Sequence, residues 1–117
     1  MSTTHQIYIE PSALAVGLSD EHLALCHEVM GEAGLRVHVT SGEVACDRMT
    51  KALPQMVVAS MALGRETLSL IEDRAIAVGA VFLLLGERPD FEVMERQLES
   101  GVAVARARFG RRSVPPS

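Results

Sequence analysis

The chain has 117 residues, the size of one domain with one hydrophobic core, and 48% of them are hydrophobic. No apolar run approaches the roughly 20 residues needed to cross a bilayer, so the sequence excludes a membrane-spanning helix and predicts no membrane partner. The formal net charge of −4 argues against nucleic acid as the main partner.

The first third of the chain predicts two strands separated by a helix. The β-branched and aromatic run QIYIE at 6–10 predicts the first strand. Ser19 has the position of a helix N-cap, and Gly34 is placed to end that helix in a left-handed cap. The stretch SALAVGL at 12–18 is either a loop or the first turn of this helix. The alternating run LRVHV at 35–39 predicts the second strand.

The middle of the chain predicts two further helices and two further strands. EVACDRMTKAL at 43–53 has helical spacing, and Pro54 ends it and pushes the residue before it towards extended geometry. QMVVASM at 55–61 and AVFLLLG at 80–86 are continuously apolar, as expected for central parallel strands that are covered on both faces. RETLSLIEDRAIAV at 65–78 predicts the helix between them.

The last part of the chain predicts one more helix and one more strand. FEVMERQLES at 91–100 predicts the fourth helix, with Gly101 as its C-cap, and the alternating run GVAVARARFG at 101–110 predicts the fifth strand. The domain then spans 1–110, and the proline-containing residues 111–117 are predicted to be a mobile tail. Five strands joined by four helices predict a parallel sheet with right-handed crossovers. The expected architecture is a three-layer α/β fold of the flavodoxin-like kind, with strand order 2-1-3-4-5.

Four of these segments together resemble the receiver domain of two-component response regulators. QIYIEPS is similar to the first strand of that family and its acidic end, and PQMVVAS is similar to its third strand. AVFLLLG is similar to the fourth strand, and QLESGVAVARARFG is similar to the segment that carries the family's lysine. The resemblance extends from Gln6 to about Phe109, and it implies the same flavodoxin-like fold.

The resemblance implies a phosphoryl-acceptor site at the carboxyl ends of the strands, but the residues at its positions have changed. The family uses paired acids and an acceptor aspartate to hold Mg²⁺, a hydroxyl residue, and a lysine that neutralises the transferred group. The residues at these positions are Glu10 and Pro11 for the acids and Ser60, or Met61 if the register is shifted by one, for the acceptor. Leu85 takes the position of the hydroxyl residue, and Arg106 or Arg108 that of the lysine. A serine without a neighbouring base is a poor nucleophile, so we expect a degenerate pocket with no catalytic residue, metal or cofactor.

Two of these positions have open interpretations. Glu10 is either a residual metal ligand or the ion-pair partner of an arginine such as Arg106 or Arg108. The same arginines form a basic cluster with Arg111 and Arg112. This cluster could contact an acidic protein or nucleic acid, or it could discourage unwanted pairing of an edge strand.

The resemblance also implies a last helix, for which the sequence leaves too few residues. Only eight residues follow Phe109, and two of them are adjacent prolines. Part of the sheet should then lack its usual cover, and we expect it to be buried in a homodimer or against another protein, through the region of helix 4 and strand 5. The residues expected at this partner surface are Phe91, Met94, Ala103, Ala105, Ala107 and Phe109.

The sequence therefore predicts a pseudo-receiver that is not phosphorylated and acts as a protein–protein interaction or adaptor module in bacterial signalling. Its two cysteines show no CxxC spacing, which favours reduced thiols in a cytoplasmic protein. One alternative is a regulator switched by phosphorylation of Ser60, as in the anti-sigma antagonist (STAS) family. A second alternative is a small α/β enzyme that uses Glu10, Ser60 and an arginine.

Overall fold

The computed structural model describes residues 11–86 and 90–113 of the chain. The strands in this part are β1 (Ser12–Val16), β2 (Arg36–Thr40), β3 (Met56–Ser60) and β4 (Val81–Leu85). The helices are α1 (Asp20–Glu32), α2 (Ala45–Ala52), α3 (Arg65–Val78) and α4 (Phe91–Ser113). A short 3₁₀ turn, Met61–Leu63, follows β3.

The four strands form one parallel sheet in the order β2-β1-β3-β4. Leu14 of β1 lies opposite His38 of β2 and Val57 of β3, and Val58 of β3 lies opposite Leu83 of β4. Helices α1 and α4 pack on one face of the sheet, and α2 and α3 pack on the other. The predicted three-layer α/β architecture with a parallel sheet is therefore confirmed.

The ends of the first two helices follow from local side-chain and backbone chemistry. Ser19 caps α1 as predicted, because its Oγ accepts a hydrogen bond from the His22 N–H at 3.4 Å. At the end of α2, the Leu53 N–H donates to the Met49 carbonyl at 2.9 Å. Leu53 has a left-handed backbone, with φ 47° and ψ 59°, so the extended geometry predicted for the residue before Pro54 is wrong.

The segment SALAV forms β1, so the prediction of a loop or a helical turn at 12–18 is wrong. All five residues of β1 are buried, because this strand lies between β2 and β3 and has helices on both faces of the sheet. Small and aliphatic side chains suit a strand in that position. The run QIYIE at 6–10, which was expected to be the first strand, lies outside the described residues.

Residues 101–110 continue α4, so the predicted fifth strand is wrong and the described strands have the order 2-1-3-4. Met94, Leu98 and Ala105 follow helical spacing and are buried against the sheet. The sequence at 101–110 allows both the two-residue period of a strand and the 3.6-residue period of a helix. Its alanine and arginine residues favour the helix. The predicted helix and strand at 91–110 thus form part of a single helix of 23 residues.

Gly101 lies inside α4, not at its end, and its lack of a side chain is used for packing. A Cβ atom at this position would lie 2.7 Å from Leu83 Cδ1 and 2.8 Å from Met56 Cε. Glycine therefore allows α4 to approach β3 and β4 closely, which accounts for a helix-weakening residue in the middle of the helix.

The hydrophobic core has two halves, one on each face of the sheet. The half under α1 and α4 includes Ala13, Cys26, Met30, Met56, Val58, Leu85, Met94 and Leu98. The half under α2 and α3 includes Leu14, Val16, Met49, Val57, Ala59, Ile71 and Ala75. Aromatic residues make up only 3% of the chain, so aliphatic side chains and methionine supply most of the buried apolar surface.

Candidate functional site

All four strands end at the same side of the sheet, which we call the carboxyl edge, and begin at the opposite side, the amino edge. The order 2-1-3-4 reverses direction between β1 and β3. In open parallel sheets, ligands bind in the crevice outside the carboxyl ends of the strands at such a reversal. The loops that follow β1 and β3 therefore form the candidate location of a functional site.

Ser60 is the last residue of β3 and lies at this crevice, but its hydroxyl has a structural partner. The side chain is only 7% exposed. Its Oγ accepts a hydrogen bond from the Ala62 N–H at 3.1 Å and so caps the 3₁₀ turn. Within the described part of the chain, no acid, imidazole or amine is bonded to this hydroxyl. A small residue that closes a buried strand accounts for Ser60 without any chemistry.

The side chain of Leu63 occupies part of the crevice at the carboxyl edge, beside an open groove that it lines with Gly42 and Thr67. A Cβ atom at Gly17, the residue after β1, would lie 2.6 Å from Leu63 Cδ2. A Cβ atom at Gly42, after β2, would lie 3.2 Å from the same Leu63 atom and 2.9 Å from Thr67 Cγ2. Gly17 also has φ +67°, which favours glycine. Two glycines thus make room for Leu63 at the place where a doubly wound fold usually receives a ligand.

Pro11, the described residue of the predicted acid pair, lies at the amino edge, not at the carboxyl edge. Pro11 immediately precedes β1, and its carbonyl accepts a hydrogen bond from the Arg36 N–H at 3.0 Å, at the start of β2. Glu10 lies outside the residues that the structure describes. By the register of β1 with β3, Ser60 lies level with Gly17, so six residues of extended chain, roughly 20 Å, separate Pro11 from it. The reason is the position of β1: Pro11 immediately precedes SALAV and so lies where β1 begins.

The two arginines at the predicted lysine position also lie at the amino edge. Arg106 Nη2 donates to the Ala33 carbonyl at 3.4 Å, just after α1. Arg108 Nη1 donates to the Gly79 carbonyl at 3.1 Å, between α3 and β4. Among the described residues of the predicted pocket, only Ser60 and Leu85 therefore share the carboxyl edge, as the last residues of adjacent strands.

The residues predicted for the partner surface are dispersed around α4, because residues 101–110 are helical. Met94 and Ala105 are buried against the sheet, and Phe109 is half-buried beside them. Ala103 and Ala107 are exposed on the outer side of α4. Phe91 is 49% exposed and its ring contacts His22 edge-to-face, with centroids 6.1 Å apart.

A different surface, around β4, was missed by the sequence reasoning. The run VFLLL is continuously apolar and was therefore expected to be central. In the part of the chain that the structure describes, β4 pairs only with β3 and is an edge strand. Phe82 is half-buried and Leu84 is 37% exposed, on the face that carries α3. Only the position of the strand in the sheet, which the sequence does not state, could have revealed this surface.

The two cysteines differ in their surroundings. Burial raises the pKa of the Cys26 thiol to about 11. Cys46 is half-buried, and its Sγ lies 3.6 Å from the Leu70 carbonyl. In residues 11–86 and 90–113 there is no group of three or more His, Cys, Asp or Glu residues that could hold a metal ion. No helix in these ranges is long and apolar enough to cross a membrane.

No protein-family model and no curated protein sequence matches this chain. Among solved structures, it is similar to a de novo designed Rossmann 2x3 fold protein determined by solution NMR. The TM-score is 0.51 at 15% sequence identity, over 91% of this chain and 94% of the designed one. A likeness at that identity concerns the fold alone, and it agrees with the doubly wound, parallel arrangement of the strands.

Proposed function

We propose that this chain is a pseudo-receiver: a non-enzymatic protein–protein interaction or adaptor module that acts in bacterial signalling, in the cytoplasm. The observation that carries the proposal is the position of Leu63. It occupies part of the crevice at the carboxyl edge and packs against Gly17 and Gly42. A site for phosphoryl transfer or for substrate turnover needs that space for a ligand.

The polar groups around this crevice also favour binding over chemistry. The Ser60 hydroxyl is engaged by the Ala62 N–H. Leu85 ends β4 where the receiver family has a hydroxyl residue, and its side chain is buried in the core. Asp20 and Glu21 lie on the carboxyl side, but they begin α1 and are exposed. There they stabilise the helix dipole. A protein with this carboxyl edge would act by binding a partner through its outer surface.

Reaction with a phosphoryl donor tests the proposal. The purified chain is incubated with acetyl phosphate or beryllofluoride and Mg²⁺, and its intact mass is measured. We expect no adduct. The Ser60→Asp variant is the matched control, because it restores an acceptor carboxylate but not the paired acids. It should also stay unmodified. A stoichiometric adduct on the wild-type chain would overturn the proposal.

Phosphorylation of Ser60 is the rival hypothesis. A kinase would need access to a hydroxyl that is 7% exposed, and the phosphoserine would lose the cap on the 3₁₀ turn. Mass spectrometry of the protein purified from its own cells distinguishes the two ideas. Unmodified Ser60 together with a stoichiometric protein partner is the expected result. Phosphate on Ser60 would favour the regulator of the STAS kind.

A further inference from the structure

We propose that the partner of this chain is a second copy, and that the two copies pair through β4 about a twofold axis. The inference rests on the proposed function, which it deepens by naming the partner. Antiparallel pairing of β4 with its counterpart would join two four-stranded sheets into one continuous sheet. We call the surface involved the β4 surface. It consists of strand Val81–Leu85 with Met61, Leu68 and Ile76 on the α3 side and Val93 and Val104 on the α4 side.

The strand itself lacks the features that usually protect a free edge. Natural edge strands carry charged side chains, proline or a bulge that discourage pairing with another chain. All five residues of β4 are apolar, and its backbone follows a regular register with β3 from Val81 to Leu85. Within the described ranges the other row of β4 backbone groups has no strand partner. An edge of this kind is a template for an added strand.

Apolar side chains also line the α3 side of the strand. The groove between α3 and β4 is lined by Met61, Leu68, Phe82 and Leu84, with Arg65 and Glu72 at its rim. Ile76 follows Glu72 by one helical turn and so lies on the same flank of α3. Met61 is 52% exposed and Ile76 is 68% exposed, so both add apolar surface beside the strand. They lie near opposite ends of the groove.

Helix α4 supplies the other side of the β4 surface. Its flank towards α1 carries Glu95, Glu99 and Arg106, which share a groove with α1. The opposite flank carries Val93, Gln97, Val104 and Arg108, and the Arg108 bond to the Gly79 carbonyl fixes it beside the start of β4. Val93 is 48% exposed and Val104 is 46% exposed. The exposed valines on α4 thus lie on the flank of the helix that is next to the free edge.

The arrangement of charges along this flank argues for a second copy over an unrelated partner. Helix α4 begins after the carboxyl end of β4 and runs back to its amino end. Asp90, before the helix, and Arg108, near its end, are separated by a whole number of helical turns and share one flank. Position 99 lies midway between Asp90 and Arg108, and Val93 and Val104 are centred on nearly the same point.

A twofold axis through that point makes the surface complementary to itself. It brings Arg108 of each copy opposite Asp90 of the other, and Val93 opposite Val104. The same rotation brings the amino end of each groove on α3, with Ile76, towards the carboxyl end of the other, with Met61. A twofold interface requires such self-complementarity, because the same patch serves on both copies. Opposite charges then face each other across the interface, and so do apolar groups, without any other protein.

Light scattering coupled to size-exclusion chromatography tests the pairing. We expect the wild-type chain at micromolar concentration to have twice its chain mass. The Val104→Asp variant should raise the dissociation constant of the dimer at least tenfold. Ala103→Asp is the matched control, because Ala103 is exposed on the outer side of the same helix turn, and it should leave the dimer intact. Circular dichroism on each variant checks that the fold is retained.

A charge exchange tests the twofold geometry itself. Arg108→Asp and Asp90→Arg each place like charges opposite one another, so each variant alone should be largely monomeric. An equimolar mixture of the two single variants should dimerise, because opposite charges then meet at both contacts of a mixed pair. One contact joins the unchanged Asp90 of one copy to the unchanged Arg108 of the other. The second contact joins the two substituted positions, which carry the same charges exchanged. This recovery cannot come from a merely local effect of either substitution on α4.

Three outcomes would overturn the inference. The first is a wild-type monomer, including one that dimerises only when residues 1–10 are removed, since the chain's own amino-terminal segment would then occupy the edge. The second is equal weakening by Ala103→Asp and Val104→Asp. The third is failure of the charge-exchanged mixture to associate. A monomer without a phosphoryl adduct refutes this inference alone, whereas an adduct on a dimer refutes the proposed function alone.

Discussion

At the scale of single residues, substitutions of Ser60 test how much space surrounds its hydroxyl at the carboxyl edge. Ser60→Ala removes the cap on the 3₁₀ turn and should lower the free energy of unfolding by about 1 kcal/mol. Ser60→Asp buries a charge at a site that is 7% exposed, so its cost should be clearly larger. Urea unfolding measures both. Ser69→Ala, at an exposed position on α3, is the control with no expected loss.

A Ser60→Asp variant as stable as the wild type would contradict this account of the edge. It would mean that a negative group fits beside Leu63, as phosphorylation of Ser60 requires.

Ser12 gives the opposite expectation, because its hydroxyl is buried without a hydrogen-bond partner among the described residues. The side chain is 3% exposed at the start of β1. Leaving a buried hydroxyl unpaired costs about 1–3 kcal/mol, so Ser12→Ala should raise the free energy of unfolding. Thermal and urea unfolding of the variant check the sign. A loss of stability would show that the hydroxyl has a partner outside the described ranges.

Cys26 and Cys46 should differ sharply in reactivity. The thiolate is the reactive form, and burial raises the pKa of Cys26 from 9.0 to about 11, so only about one thiol in a thousand is ionised at pH 8. A disulfide reagent such as DTNB should react quickly with one cysteine and slowly with the other. The fast phase should disappear in Cys46→Ser. Loss of the slow phase in that variant instead would reverse the assignment.

The same shift gives a pH dependence of stability with a definite sign. Between pH 9 and 11 the folded protein keeps the Cys26 proton while the unfolded chain releases it. The unfolded state then binds fewer protons, so stability falls as pH rises through this range. Below pH 9 the contribution is fully present. Cys26→Ala should flatten the alkaline part of the stability curve.

At the scale of elements, the close packing of α4 on the sheet predicts a contrast between two glycines. Gly31 lies in α1, and a Cβ atom there would have nothing within 4 Å, so Gly31→Ala should raise the free energy of unfolding by roughly 0.5–1 kcal/mol. The Cβ of Gly101→Ala would press on Leu83 and Met56, so that gain should be lost or reversed. Urea unfolding of both variants measures the difference, and equal gains would contradict the close approach.

The sequence predicts most elements, and the two exceptions have physical causes. Hydrophobic period and caps identify α1, β2, α2, β3, α3 and β4. They miss β1, because serine and alanine have weak strand preference and SALAV is a strand only through burial on both faces. The same signals split α4 into a predicted helix and a predicted strand. The cause is Gly101, which resembles a C-cap as long as its contact with Leu83 is not known.

The candidate site could be predicted only in part for the same reason. Ser60 and Leu85 lie at the carboxyl edge as expected, since both end strands that the apolar runs identify. Pro11 lies at the other edge because β1 begins immediately after it. The packing of Leu63 against Gly17 joins two loops that are distant in sequence, and no local pattern signals such a contact.

At the scale of the whole molecule, a paired edge links folding to concentration. If two copies associate through the β4 surface, the folded state binds a partner that the unfolded state does not. The melting temperature of the wild-type chain should therefore rise with protein concentration. It should be independent of concentration for Val104→Asp, while Ala103→Asp behaves as the wild type. Differential scanning calorimetry over a hundredfold concentration range distinguishes these cases.

The packing of Leu63 between Gly17 and Gly42 has a consequence for protein engineering. Leu63 already lines an open groove with Gly42 and Thr67, so shortening that one side chain would widen the groove towards Gly17, at the location where natural Rossmann-like proteins bind their ligands. The widened groove could admit a small apolar guest. The scaffold would then become a host into which binding, and later catalysis, could be built.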